Sequence, residues 1–230
     1  MAGRGRAPSG ARTERDDRRR SDGQNFLVDQ TLIKRLVGTL DIIPGELVVD
    51  IGAGRGAMTF ACAAAGAHVI AIERDPVWAR QLAGLVRDRG LASRIDVIRA
   101  DARAWPLPDE PFRVVANPPF GMSTDLLARL LDDPLRAPDR CDLILQLDVV
   151  RKRCHTPPDT LRSAAWAPWW TFDAGPVIPR RAFRPVPRVD AALLTIRPRT
   201  PAILPAWLAP RFADTLRAAW EQRTQRRSSR

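Results

Sequence analysis

The chain has 230 residues, 45% hydrophobic and 27% charged, which suits a globular protein with one sizeable core and small appendages. Its net charge is +11. No apolar run reaches the ~18 residues of a membrane span, and the basic start, Met1 to Arg20, lacks the apolar stretch of a secretory signal. Cys62, Cys141 and Cys154 show no C-x-x-C spacing, and His68 and His155 are the only histidines; this speaks for a reducing cytoplasm and against a zinc site.

In chain order, residues 1–22 are polar, Arg-rich and aperiodic, so a disordered basic arm is expected. Residues 1–23 carry seven Arg against four acids, and residues 211–230 carry six against two. Basic ends around a nearly balanced centre suit arms that grip a polyanion, or solvated tails with no partner. Residues 29–40 place Leu32, Ile33, Leu36, Val37 and Leu40 at helical spacing. Pro44-Gly45 breaks the chain, and Leu47 to Ile51 reads as a buried strand. A helix starts near Gly56, His68 to Glu73 is a second strand, and a helix follows Pro76. Ile95 to Arg99 and residues 112–116 are strands. Ser123 to Leu131 is a helix capped by Ser123 or Thr124. Cys141 to Val149 reads as a fifth strand, 159–170 as a helix, Val177 as the close of a sixth strand and Ala191 to Ile196 as a seventh. After Pro198 the chain is Pro-rich and ends in a basic helix, Phe212 to Gln225. Strand–helix alternation predicts an α/β fold: a doubly wound, mostly parallel seven-stranded sheet with a late antiparallel edge and a short helical C-terminal extension. The expected segments are an arm at 1–22, a catalytic domain at 23–197 and the extension at 198–230.

The chemistry gathers at strand ends. Asp50-Ile51-Gly52-Ala53-Gly54-Arg55-Gly56 lies between the first strand and its helix. Its glycines let backbone approach a ligand closely. A dinucleotide fingerprint wants G-x-G-x-x-G; here the spacing is G-x-G-x-G behind an acid. An acid at the mouth repels a pyrophosphate and attracts an ammonium or sulfonium, which favours S-adenosylmethionine over NAD. Glu73 ends the second strand, where a carboxylate takes both hydroxyls of a ribose. Asp101 follows the third strand and suits the amine of an adenine. Asn117-Pro118-Pro119-Phe120 follows the fourth. Its prolines stiffen the turn, Asn117 and the Pro118 carbonyl are acceptors, and Phe120 is a flat apolar plate. That set suits a planar ring bearing an exocyclic amine. Trp166, Trp169 and Trp170 read as core, and Arg151, Lys152 and Arg153 either grip phosphates or form a solvated helix start.

With these residues assembled, the chain resembles the class I methyltransferases that methylate rRNA adenine at N6, the Erm and KsgA group. The resemblance spans residues 24 to about 197. It includes Gln24-Asn25-Phe26-Leu27, the D-I-G-A-G-R-G turn, Glu73, Asp101, N-P-P-F, Leu145-Gln146 with Arg151-Lys152, and Phe183-Arg184-Pro185-Val186-Pro187-Arg188-Val189-Asp190. The first and last of these motifs are its most specific part. Asn117-Pro118-Pro119-Phe120-Gly121 is similar to actinobacterial Erm resistance enzymes, whereas the ribosome-biogenesis branch more often has Asn-Leu-Pro-Tyr. The resemblance implies S-adenosylmethionine held by Gln24, Asn25, Leu27, Asp50, Gly52, Gly54, Gly56, Glu73, Arg74, Asp101, Ala102 and Asn117. Gln24 and Asn25 either close over the cofactor or serve the turn before the first helix. It implies catalysis by Asn117, Pro118 and Phe120 on a flipped adenine of 23S rRNA, with macrolide, lincosamide and streptogramin B resistance. Phe120 and Phe183 stack on the base, and Arg180, Arg181, Arg184, Arg151 and Lys152 contact RNA. The expected protein is a cytoplasmic monomer that needs no metal and acts on 23S rRNA before the ribosome is fully assembled. A 16S rRNA dimethyltransferase and a non-catalytic RNA-binding relative are the alternatives. Family members end in a compact helical RNA-binding domain; the segment after Ile196 has room for one helix and a tail, and the Arg-rich arm is expected to compensate.

Overall fold

The computed structural model describes residues 25–228, with side chains as far as residue 223. The strands are β1 (Phe26–Leu27), β2 (Leu47–Ile51), β3 (His68–Glu73), β4 (Ile95–Arg99), β5 (Arg113–Ala116), β6 (Arg140–Gln146), β7 (Trp170–Ile178), β8 (Phe183–Arg184) and β9 (Ala191–Pro198). Seven form one sheet in the order β4-β3-β2-β5-β6-β9-β7. The pairs from β4 to β6 are parallel, and β9 joins β6 and β7 antiparallel. The chain therefore runs outward from β2 through β3 to β4, then returns to lay β5 on the other side of β2. Strand order reverses between β2 and β5, the place where open α/β sheets bind ligands.

The helices are α1 (Gln30–Gly38), α2 (Ala57–Ala64), α3 (Pro76–Asp88), α4 (Ser123–Leu131), α5 (Leu147–Cys154), α6 (Leu161–Trp166) and α7 (Ala209–Ser228). Local sequence explains their starts. Asp29 caps α1 by accepting from the Leu32 N–H, and Asp75 caps α3 ahead of Pro76 in its first turn. Each helix buries the stripe its spacing dictates: Ile33, Leu36 and Val37 in α1, and Trp78, Ala79, Leu82 and Val86 in α3. Helices α1 to α3 pack on one face of the sheet and α4 to α7 on the other. On that second face Trp166, Trp169 and Trp170 are core, as expected. Each indole N–H has an acceptor, on Asp132, Leu204 and Leu131 respectively.

The structure corrects three boundaries and one cap. The fifth long strand stops at Gln146, where its pairing with Ala191 of β9 ends, and Leu147 to Cys154 is helical. Asp148 in the first turn and Arg151 to Arg153 in the last complement the dipole of that helix. The expected helix over 159–170 is only Leu161–Trp166, because Trp170 already pairs with Pro198 in β7. The C-terminal helix is longer than 212–225 and packs onto the domain, with Phe212 edge-on to Trp169 at 5.7 Å. Neither Ser123 nor Thr124 caps α4: the cap is Met122, and the Ser123 hydroxyl donates to the Phe120 carbonyl at 2.9 Å.

One polar group crosses the sheet interior. Arg113 of β5 donates to Asp142 of β6 at 2.6 and 2.9 Å and to the Leu40 carbonyl at 2.6 Å. Thr195 of β9 donates to the other Asp142 oxygen at 2.7 Å. Both charged side chains are buried, 2% and 0% exposed. Removing one member of such a pair strands the other charge in low dielectric. We expect Asp142→Ala to cost about 3–5 kcal/mol in urea denaturation, and the double variant R113M/D142L to recover part of that loss.

Candidate active site

The ends of β2, β3, β4 and β5 meet around one cavity of about 290 Å³, lined by Asp50, Gly52, Glu73, Asp101 and Asn117 among others. Gly52 holds φ at +74°, and a Cβ there would lie 3.0 Å from Pro119 Cδ and 3.6 Å from Pro118 Cα. Only glycine lets the first turn pack directly on the N-P-P-F turn. At Gly54 a Cβ would overlap Phe26, 2.6 Å from Cε1, so Phe26 sits on the glycine turn.

The carboxylates are held in three different ways. Glu73 is buried, and both its oxygens are oriented by backbone. Oε2 accepts from the Gly54 N–H and Oε1 from the Asp75 N–H, each at 2.8 Å. Burial raises its pKa, and those two N–H groups oppose the rise. Asp50 is not the open acid that its position in the sequence suggests. It is 1% exposed and accepts from the Thr59 hydroxyl at 2.6 Å. Burial pushes its pKa up to about 7, Thr59 opposes the shift, and the Glu73 charge adds to it. Asp101 is the reverse case. Arg103 forks both its oxygens, at 3.0 and 3.1 Å from Nε and 2.5 Å from Nη2, and holds its pKa at about 2. Arg103 was not predicted; a cation two residues from a loop acid was its only signal in the sequence.

Asn117 is fixed from a distance. Its Nδ2 donates to the Asn25 carbonyl at 2.9 Å. Its Oδ1 is buried and has no hydrogen-bond partner among the described residues. Asn25 reaches this place because β1 pairs with β8, Phe26 opposite Arg184 and Leu27 opposite Phe183. The two most specific sequence motifs are therefore neighbours in space. A buried acceptor left unpaired costs about 1–3 kcal/mol, so this oxygen, on a residue that lines the cavity, calls for a donor.

Of the other predicted residues, Asn25, Leu27, Arg74 and Ala102 line the cavity. Gly54 and Gly56 do not. Gly54 spends its N–H on Glu73, and Gly56, at φ +80°, begins α2 over Leu82 and Phe60. Gln24 and the arm at 1–22 lie outside the described residues. Phe120 is 9% exposed and meets Phe183 edge-on, ring centroids 6.0 Å apart. Phe183 is 0% exposed, so the second aromatic surface expected of it is enclosed behind Phe120. Pro119, Gly121 and Met122 of the turn line the cavity instead. Arg180, Arg181 and Arg184 are exposed around β8, and Arg151 and Lys152 are exposed on α5; none lines the cavity. Arg55 and Phe26 are lining residues that sequence reasoning missed. The Arg55 guanidinium lies 5.0 Å from the Trp78 ring centroid and 5.8 Å from that of Phe26. Among the described residues there is no cluster of His, Cys, Asp or Glu suited to a metal, and no helix long and apolar enough to cross a membrane.

Three comparisons bear on this geometry. The chain is 37% identical over 211 residues to an rRNA methyltransferase of Streptomyces thermotolerans, covering 90% of this chain and 68% of that protein. It is 35% identical over 182 residues to the mycinamicin-resistance protein MyrB of Micromonospora griseorubida, covering 79% of this chain and 56% of that one. The chain thus spans little more than half the length of the second relative. Among solved structures it superposes on the 23S rRNA methyltransferase ErmE with a TM-score of 0.73 and 26% identity, covering 84% of this chain and 78% of that one. Residues 15–226 match the family described as ribosomal RNA adenine dimethylase, so the acid-lined cavity at the crossover of the sheet is that of a chain that belongs to that family.

Proposed function

We propose that this chain transfers a methyl group from S-adenosylmethionine to N6 of an adenine in 23S rRNA, and that the modification gives resistance to macrolides, lincosamides and streptogramin B. The observation that carries the reading is the unpaired Asn117 Oδ1 at the cavity wall. The Asn25 carbonyl takes one Nδ2 proton and so orients the amide, leaving Oδ1 as the acceptor still without a donor among the described residues. An exocyclic amine supplies the donor it lacks; a base with a keto oxygen at that place would set acceptor against acceptor. The Pro118 carbonyl is the second acceptor for the two N6 protons. Holding both draws the nitrogen towards tetrahedral geometry and frees its lone pair. Such catalysis is orientation and electrostatics. Phe120 stands at the end of the turn, where stacking on a flipped base is worth about 1–3 kcal/mol.

The residues present fit S-adenosylmethionine, a cation rich in hydroxyl and amine donors. Glu73, oriented by two backbone N–H groups, suits the ribose hydroxyls. Asp101 suits the adenine amine, for which Arg103 must yield part of the carboxylate. Asp50, at the glycine turn, would favour the cationic end. When bound, S-adenosylmethionine supplies a methyl group activated on a sulfonium. The same three acids are a poor bed for a pyrophosphate. The likeness to ErmE and to MyrB supports 23S rRNA as the acceptor and resistance as the outcome.

Two measurements test this. Asn117→Ala is expected to lower kcat by about 10²–10³-fold on a 23S transcript while calorimetric S-adenosylmethionine binding persists; near-normal turnover overturns the assignment. Asp50 supplies a pH signature. Its folded pKa, about 7, lies above its ordinary value. Protonation therefore favours the folded free protein at low pH, and that contribution is lost as pH rises through about 7. A bound cation favours the ionised form. Binding at pH 7 should release a fraction of a proton, read by calorimetry in buffers of different ionisation enthalpy, and affinity should rise between pH 6 and 8. Asp50→Asn should flatten both trends.

A further inference from the structure

A second concavity, of about 700 Å³, opens beside the active-site cavity between α1 and α2. The two share Leu27, Arg55 and Ala57, so they form one continuous surface. The floor is apolar, with the buried Ile33 and Val37 of α1 against the half-buried Phe60 of α2. The alanines at positions 57, 61 and 64 of α2, and at 65 just after it, leave the space open. The rim carries Lys34, Arg55 and Arg89, all exposed. No acid lines it. Among the described residues none of these three cations is ion-paired, whereas Arg103 across the active site is committed to Asp101. Arg89 is held in place without losing its charge, its guanidinium 4.1 Å from the Phe60 ring centroid.

We infer that this α1–α2 groove is a docking track for the backbone of single-stranded RNA that continues from the flipped adenine. The inference rests on the proposed rRNA methylation and adds a surface to it. Unpaired cations over an apolar, aromatic-bearing trough are what a single strand needs: phosphates on the rim, and sugars and bases over the floor. Arg55 stands at the junction of groove and cavity, where the strand passes from one to the other. The chain's own segment 1–23 is a poor occupant, since seven Arg against four acids leave it cationic beside a cationic rim. An acidic protein surface is the competing partner; the continuity with the cavity favours RNA.

The test uses the full chain and fluorescent oligouridylate, which has no adenine and so reads the groove apart from the chemistry. Anisotropy titrations across salt are compared for wild type, K34Q/R89Q and K34R/R89K. Removing two phosphate contacts on a single strand should make the slope of log K against log salt shallower by about 1.4, equivalent to about 25-fold weaker binding at 0.1 M salt. K34R/R89K should keep the wild-type slope. On a 23S transcript, K34Q/R89Q should raise KM with kcat unchanged. S-adenosylmethionine binding and thermal melting should match wild type. An unchanged slope in K34Q/R89Q overturns the inference and leaves the groove to an acidic protein. So does an equal loss in K34R/R89K, because charge would then not be the cause. A slope change in a protein whose wild type methylates no rRNA leaves the groove standing and removes the methylation reading alone.

Discussion

The hydrogen bond from Asn117 Nδ2 to the Asn25 carbonyl is the constraint on which the site depends. It joins residues 92 apart in the chain. A side-chain amide free to turn offers either a donor or an acceptor to whatever enters. Tied by one proton of its nitrogen, this one is held with Oδ1 buried and, among the described residues, without a partner. The tie needs the antiparallel pairing of β1 with β8, which fastens the segment before α1 to the segment before β9. It also needs Gly52, because any side chain there would push the N-P-P-F turn away from the first turn. An unsatisfied acceptor in the free protein is a cost carried until a donor arrives.

Charge is distributed by the same logic. The interior of the sheet holds Asp142 with Arg113, a pair satisfied further by Arg140, Thr195 and the Leu40 carbonyl, so it links β5, β6 and β9 and takes no part in the cavity. The cavity holds carboxylates whose state depends on surroundings. Glu73 is oriented by backbone, Asp50 is raised by burial to about 7, and Asp101 is lowered by Arg103 to about 2. Acids of similar appearance in the sequence thus answer differently to a cation. Beside the cavity, Lys34, Arg89 and the shared Arg55 rim an apolar trough; among the described residues none of them is ion-paired and no acid lines it.

Much of the fold was legible because its signals are local. Buried parallel strands read as Val and Ile runs, and β2, β3 and β4 run from the residues expected. Helices α1 and α3 announce themselves by Asp29 and by Asp75-Pro76. The misreadings were of another kind. Leu145 to Val149 is as apolar as the strand before it, and only the end of its pairing with β9 turns the chain into α5. Phe183 reads as an aromatic free to stack, and only packing encloses it behind Phe120. Gly56 belongs to the same glycine run as Gly52, yet one seats α2 while the other meets Pro119.

The sequence by itself determined the strand–helix alternation, the glycine turn, and the acids and N-P-P-F that end successive strands. Each is a short stretch whose backbone preference or side-chain chemistry needs no distant partner. Tertiary structure alone decided which way the Asn117 amide points, how strongly Asp50 and Asp101 hold their protons, and that Arg55 joins a cavity to a groove. Those properties depend on burial and on partners brought from elsewhere in the chain. Hydrogen bonding and dielectric environment are set by what lies next to a group in space, which spacing along a sequence does not specify.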